Sequence, residues 1–409
     1  MAEILRQSSA WAPALLSHVP RAGATDGLRV LVVTNVRQPI LEAYLSPLAA
    51  LDDVAEIVVV RDRADVNLGH KIRVTTPAAW WPHTTVTKLI SRPFLLRREA
   101  TRSPPDLIMA VHWFPDGPGV VRLARDLGVP VVVNIIGGSA ELIDGGRRIA
   151  LTRLPRLLKR RAQEYQRARL DAVSAITCTG STTCEWFRRA GVVRPAISVL
   201  HAAIGEEWFR GGAAARDIDV AYVGRVDPDK RVDRLLQVLA AVGRLRPRTH
   251  AVVIGMSEAE LRVSRFHYLA EARAALGERL VFHKRVERVS DVLRRAKILL
   301  LTSDTEGRPL AALEAMACGA VPVVTDVGDL REALDDGCAG VPVPLGGGGT
   351  GVVTALSQAV VTLLDDEPRR QTLAARGQTY VRREHDPRRT RDEWHAVTRQ
   401  ALASGGHTP

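Results

Sequence analysis

Along the chain, short runs of consecutive apolar, largely β-branched residues alternate with longer stretches whose apolar positions recur at helical spacing. In the first half the runs are LRVLVVTN (28–35), AEIVVVRD (55–62), DLIMAVHW (106–113), VPVVVNII (129–136) and SAITCTG (174–180). The second half repeats the rhythm with DVAYVGR (219–225), THAVVIG (249–255), RLVFHKR (279–285), KILLLTS (297–303) and AVPVVTD (320–326). A strand that is apolar at every position is buried on both faces, as in a parallel sheet covered by helices above and below. Two doubly wound, Rossmann-like α/β domains are therefore expected. The segment EEWFRGGAAARDID (206–219) breaks the periodicity and reads as a linker near 210–217, giving domains at 1–210 and 211–380. The glycine tract GGGGTG (346–351) reads as a loop, and 381–409 as a basic, Trp394-containing helix with a frayed tail. Open sheets of this kind take ligands at the carboxyl ends of their strands, so the cleft between the domains is the expected site.

Composition narrows the function classes. Hydrophobic residues make up 46% and charged residues 25% of the 409, which removes disordered, collagenous and coiled-coil readings. The net charge of +12 predicts an acidic partner: nucleic acid, an anionic membrane surface or a phosphorylated small molecule. That excess is uneven. Residues 1–200 carry 27 Lys+Arg against 17 Asp+Glu, and the remainder is nearly neutral with 30 against 28. Aromatics amount to only 4% and no nucleic-acid-binding module is recognisable, so a nucleic-acid partner is not expected. Four cysteines without a CxxC pair point to a reducing compartment and no zinc site. No apolar run reaches 18 residues, and the N-terminal one is interrupted by Pro13, so a cytoplasmic protein is expected.

The densest chemical signal is SDTEGRPLAALEAMACGAVPVVTD (303–326). A strand ends at Ser303, a loop carries Glu306 and Gly307, and Pro309 opens a helix that would run to Cys318, with Gly319 as its stop. Backbone N–H groups beside Pro309 and Leu310 would form an anion site at the positive end of that helix. Glu306 and Glu314 flank it, and carboxylates suit hydroxyl-rich sugars better than phosphates, so a ligand combining both explains the segment. In VGRVDPDKRVDRLL (223–236), Arg225 and Lys230 add the two cations a diphosphate needs. The triplets Asp217-Ile218-Asp219 and Asp227-Pro228-Asp229 look like metal motifs but fall at a strand start and between those cations, where chance explains them, so no metal is expected.

From about Val220 to Asp386 these segments resemble the retaining GT-B glycosyltransferases of the glycosyl transferases group 1 family. The resemblance rests on strand-GR-x4-K-x4-LL and on the Glu-x7-Glu pattern EGRPLAALEAMACGAVPVV. It implies two Rossmann-like domains facing a cleft, with the C-terminal helix returning to the first domain. It also implies a nucleotide-diphosphate sugar as co-substrate, no cofactor or metal, a hydroxyl acceptor, and retention of anomeric configuration. Arg225, Lys230, Pro309 and Leu310 would then hold the diphosphate. Glu314 would take the ribose, Glu306 and Gly307 the donor sugar, and Arg285 and Val286 would lie beside the nucleobase, with Lys284 where the family has a loop glycine. Gly255-Met256 offers one glycine where two are common.

In the first half the resemblance implies an acceptor domain. His112 ends a strand where the family has a histidine and joins Glu306 as a candidate catalytic residue. Gly137, Gly138 and Ser139 would line the reacting sugar, although Ile136 replaces the usual histidine. The loop after the first strand, NVRQPILEA, lacks the family's double glycine. Nine basic residues and one acid between Arg147 and Arg169 alternate with leucines, as in a segment docking on the anionic inner face of a membrane, with a lipid-linked acceptor. Trp80-Trp81-Pro82 reads as an interfacial wedge, an acceptor platform or core. The rivals are a nucleotide-sugar epimerase or hydrolase of the same fold, and a non-enzymatic basic nucleotide- or nucleic-acid-binding protein.

Overall fold

A computed structural model describes residues 27–64, 67–78, 85–138, 156–210, 215–263, 267–346 and 348–404. The first sheet comprises β1 (Leu28–Val33), β2 (Val54–Val60), β3 (Ile72–Thr75), β4 (Leu107–Val111), β5 (Val131–Ile135), β6 (Ala175–Cys178) and β7 (Ala196–Val199), ordered β3-β2-β1-β4-β5-β6-β7. All its pairs are parallel. The five apolar runs fall on the five central strands. IRVT and AISV, which carry no such run, form the two edges, where a strand has a neighbour on one side only and needs less apolar sequence.

The second sheet holds β8 (Ile218–Val223), β9 (Ala251–Ile254), β10 (Leu280–His283), β11 (Ala296–Leu301), β12 (Val321–Thr325) and β13 (Val341–Val343), again all parallel and ordered β10-β9-β8-β11-β12-β13. Two helical expectations are corrected. The glycine tract is not wholly a loop, because helix Gly348–Asp365 starts inside it. Val352, Leu356, Val360 and Leu363 recur at helical spacing on the second core, and their burial offsets the backbone entropy of the glycines. The terminal helix does not begin at 381, which lies near the end of helix Glu367–Glu384; the chain breaks at His385 before helix Pro387–Ser404.

That last helix returns to the first domain. Trp394 is fully buried there and its Nε1 donates to the Tyr44 carbonyl at 2.7 Å, satisfying the one polar atom that burial would strand. His385, at the crossing, is also buried, with Nδ1 2.7 Å from the Ala202 oxygen. Burial and the nearby Arg308 and His201 charges hold its pKa well below the ordinary histidine value, so it crosses neutral.

A second seam joins the domains. Helix Ser181–Arg189 has Gly180 at its N-cap and receives no cap from its own segment. Its orphan donors are met from the other domain: Asp329 accepts from Thr183 N at 2.9 Å and from the Thr183 and Thr179 hydroxyls at 2.7 Å each. Glu332 accepts from Ser181 N at 2.7 Å and Ser181 Oγ at 2.6 Å. Asp329 is completely buried, and a Cβ on Gly180 would sit 2.5 Å from its carboxyl carbon, which explains the glycine.

Candidate functional site

The domains enclose a cleft of about 1320 Å³ at the carboxyl ends of both sheets. Single-ligand pockets occupy roughly 300–1,000 Å³, so there is room for a donor and an acceptor together. On the second-domain wall stand Arg225, Lys230, Glu306, Pro309, Leu310 and Glu314.

Lys230 closes the turn Pro228–Lys230, just after β8. Its Nζ pairs closely with Glu306 Oε1, which also accepts from Ser303 Oγ at 2.6 Å. Glu306 is thus fixed from two sides. Behind them Arg231 and Arg234 both bind Asp304, with Arg234 also donating to the Thr302 carbonyl at 2.8 Å, so the turn is tied to the loop after β11. Arg225 is half-exposed and pairs with Asp227 at 2.8 Å. Asp217 and Asp219 pair with Arg295 and Lys297, so carboxylates of both acidic triplets are engaged by cations.

Pro309 is the N-cap of helix Leu310–Ala317 rather than its first helical residue, because its ψ of 128° is extended. Glu314 lies on the following turn and lines the cleft. Its carboxylate makes no hydrogen bond among the described residues, and burial pushes it up to about 7. Between the ordinary carboxylate range and pH 7 the folded chain holds a proton that the unfolded chain has lost. Stability contributed here therefore falls as pH rises through that window and is level above it. Glu314→Gln is expected to leave stability unchanged at pH 4 and raise it by about 3 kcal/mol at pH 8, read from denaturant midpoints across pH. A difference that is the same at both pH values would refute the perturbed carboxyl.

Arg285 and Val286 do not line the cleft; its wall resumes at Glu287, Arg288, Val289 and Ser290. Arg285 is exposed and Val286 packs on the core. Gly255 ends β9 at positive φ where a Cβ would strike the Gly224 carbonyl, so this one glycine is required by the approach of two strand ends.

On the opposite wall stand His112, Ile136 and Gly137. His112 follows β4 at φ 73°, an uncommon conformation for a residue with a side chain, and its N–H donates to the Asn134 carbonyl at 2.9 Å. Gly138, at φ 69°, packs so closely on the 306–307 loop that a Cβ would lie 2.8 Å from the Glu306 backbone oxygen. A Cβ on Gly307 would lie 2.5 Å from the Ile136 oxygen, and one on Gly328 would overlap the Glu306 carbonyl. Gly138 and Gly307 thus let the 136–138 loop and the 306–307 loop touch backbone to backbone, and Gly328 brings a third segment against Glu306. Ser139, Trp80, Trp81, Pro82 and the 147–155 part of the basic segment lie outside the described residues.

Sequence reasoning missed several cleft residues. Arg37, in the loop after β1, and Arg388 and Arg391, on the returning helix, line it. Arg308 also lines it; its side chain is almost wholly buried and is held by Glu332 at 2.6 Å. Arg37 lies in the loop that lacks the expected double glycine, and the terminal arginines were legible only as charge on a helix.

Two parallel α/β domains face to face across this cleft, with a C-terminal helix crossing back, define the GT-B class of glycosyltransferase fold. Residues 205–380 match the family described as Glycosyl transferases group 1, and residues 41–207 match Glycosyltransferase Family 4. The second domain thus belongs with the group 1 glycosyl transferases, and the two matches together span residues 41–380. It is 31% identical over 179 residues to D-inositol 3-phosphate glycosyltransferase of Streptomyces bingchenggensis (strain BCW-1), a match spanning 39% of this chain and 39% of that protein's length. Among solved structures, sucrose-phosphate synthase (tll1590) from Thermosynechococcus elongatus superposes with a TM-score of 0.74 over 92% of this chain and 100% of that one, at 18% identity. Anabaena Alr3699/HepE in complex with UDP-glucose gives 0.70 over 91% and 99%, at 16% identity.

Proposed function

We propose that the chain transfers a sugar from a nucleoside-diphosphate sugar to an acceptor hydroxyl, with retention of configuration. The observation that carries this is the joined Ser303–Glu306–Lys230 cluster, set beside Arg225, Glu314 and the Pro309–Leu310 backbone and facing His112 across the cleft. The fold's likeness to a protein solved with UDP-glucose supports a donor of that class.

Glu314 takes the ribose hydroxyls, and Arg225 and Lys230 face the diphosphate. Glu306, oriented by Ser303, accepts from hydroxyls of the donor sugar. As the bond from the anomeric carbon to the diphosphate oxygen breaks, its electron pair stays on the diphosphate, where cations fixed in a partly dry cleft stabilise it. Side chains rather than a metal supply this charge. The acceptor oxygen bonds the same face of the anomeric carbon, and its proton passes to a phosphate oxygen. His112 and the Gly137–Gly138 loop border the reacting sugar. The wall formed by Glu287 and Arg288, rather than Arg285 and Val286, borders the base.

Thermal-shift screening against UDP, GDP, ADP and their sugars, followed by product analysis with and without acceptors, tests the reading. Stabilisation by none of these diphosphates would end it, and turnover to an epimer or free sugar as the normal product would favour the hydrolase or epimerase rival. The acceptor is proposed to be lipid-linked or a glycan precursor, met by a cytoplasmic protein at the inner face of a membrane. Helix Arg156–Leu170 exposes Arg160, Arg161, Tyr165 and Arg167, a basic surface with one aromatic. No helix among the described residues is long and apolar enough to cross a membrane. Flotation with anionic vesicles checks docking, and a chain that stays with the soluble fraction removes it.

A further inference from the structure

The loop after β1 brings a cation to the cleft that the proposed reaction has not used. Arg37 lines the same cavity as Arg225 and Lys230 but belongs to the first domain. Its loop is braced from below: Thr34 N donates to the Val60 oxygen at 3.1 Å, Val36 N to Thr34 Oγ1 at 3.2 Å, and buried Arg61 Nη2 to the Val36 oxygen at 3.3 Å. Asn35 holds Asp62 through two further bonds of 3.0 and 3.1 Å. The guanidinium itself makes no hydrogen bond or ion pair among the described residues. Partial burial and the positive charges of Arg225 and Arg285 hold its pKa below the ordinary arginine value, against the opposing pull of Asp227.

Arg37, Arg225 and Lys230, drawn from both domains, line one cavity, and like charges so gathered repel one another. Each existing counter-charge is also shared: Lys230 is held by Glu306 and Arg225 by Asp227. A ligand of two or more negative charges reverses the sign of the arrangement. Where a glycine loop would offer only backbone, this chain offers a fixed charge.

We propose that Arg37 is a donor-recognition residue supplied by the acceptor domain, its guanidinium closing on the diphosphate of the nucleotide sugar from the side opposite Arg225. The inference rests on the donor-site reading given under Proposed function. Binding of donor would then draw on both domains, and departure of the diphosphate after transfer would require Arg37 to let go.

The test is calorimetry on the full chain, comparing the parent with Arg37→Ala, Arg37→Lys and Arg225→Ala against UDP, GDP and ADP. For whichever diphosphate binds the parent, Arg37→Ala is expected to weaken binding about tenfold. Arg37→Lys should fall between the two, the salt dependence should become shallower, and the matching nucleoside monophosphate should lose less. Because Arg37 is mostly exposed and its guanidinium makes no bond among the described residues, thermal stability should stay with the parent. An unchanged diphosphate affinity in Arg37→Ala overturns the proposal, as does a raised acceptor KM with the donor KM unmoved. If Arg225→Ala is silent as well, the donor-site reading itself fails.

Discussion

Glu306→Gln should reduce sugar transfer by about 10²–10³ while leaving nucleoside-diphosphate affinity within a few-fold of the parent. The substitution keeps shape and removes charge. In the parent, Oε1 is already committed to Ser303 and Lys230, so the carboxylate sits in one orientation before any ligand arrives. A group that needs no reorganisation as charge shifts onto the departing diphosphate contributes most in the transition state and least in ground-state binding. The amide also releases Lys230 from its ionic partner, freeing that cation for the diphosphate, so nucleotide binding should hold or tighten. Single-turnover transfer and calorimetry with the nucleoside diphosphate separate the two effects. A parent-like turnover rate would remove Glu306 from the reacting centre, and a collapse of nucleotide affinity would make it a donor-binding group instead.

Asp329→Ala should cost about 3 kcal/mol in the first unfolding transition. The carboxylate accepts three bonds from one helix end and its neighbouring strand end, all out of contact with water. Alanine leaves the Thr183 N–H and two hydroxyls with nothing to bond. Urea denaturation followed by tryptophan fluorescence measures it, and a loss below about 1 kcal/mol, the level of an ordinary cap, would mean water replaces the carboxylate freely.

The central strands and the Glu306–Glu314 segment were legible because each is written in consecutive residues: an unbroken apolar run for a strand covered on both faces, and a loop-helix pattern at fixed spacing for the donor side. The edge strands β3, β7 and β13 were not, since an edge demands little of its sequence and IRVT differs little from a loop. The start of helix Gly348–Asp365 was not legible, because the glycines favour a loop locally and the buried face that carries them into the helix begins only at Val352. Nothing local marks Asp329 as a partner of Thr183, 146 residues earlier in the chain. Its position before a short helix reads as that helix's own cap, yet its side chain serves the other domain. The same holds for Gly138 and Gly328, whose glycine identity reflects the Glu306 carbonyl lying against them.

The return of helix Pro387–Ser404 to the first domain changes what a modular exchange of halves would have to preserve. A chimera cut once near residue 210 would pair a foreign acceptor domain with a terminal helix shaped for another partner, stranding Trp394 without the Tyr44 carbonyl. Two junctions are needed, one in the linker and one at His385, so that the acceptor half travels as two pieces of chain. Acids matching Asp329 and Glu332 must come with the donor half. On the proposed reading, acceptor preference is carried by segments lying on both sides of the donor domain in the sequence.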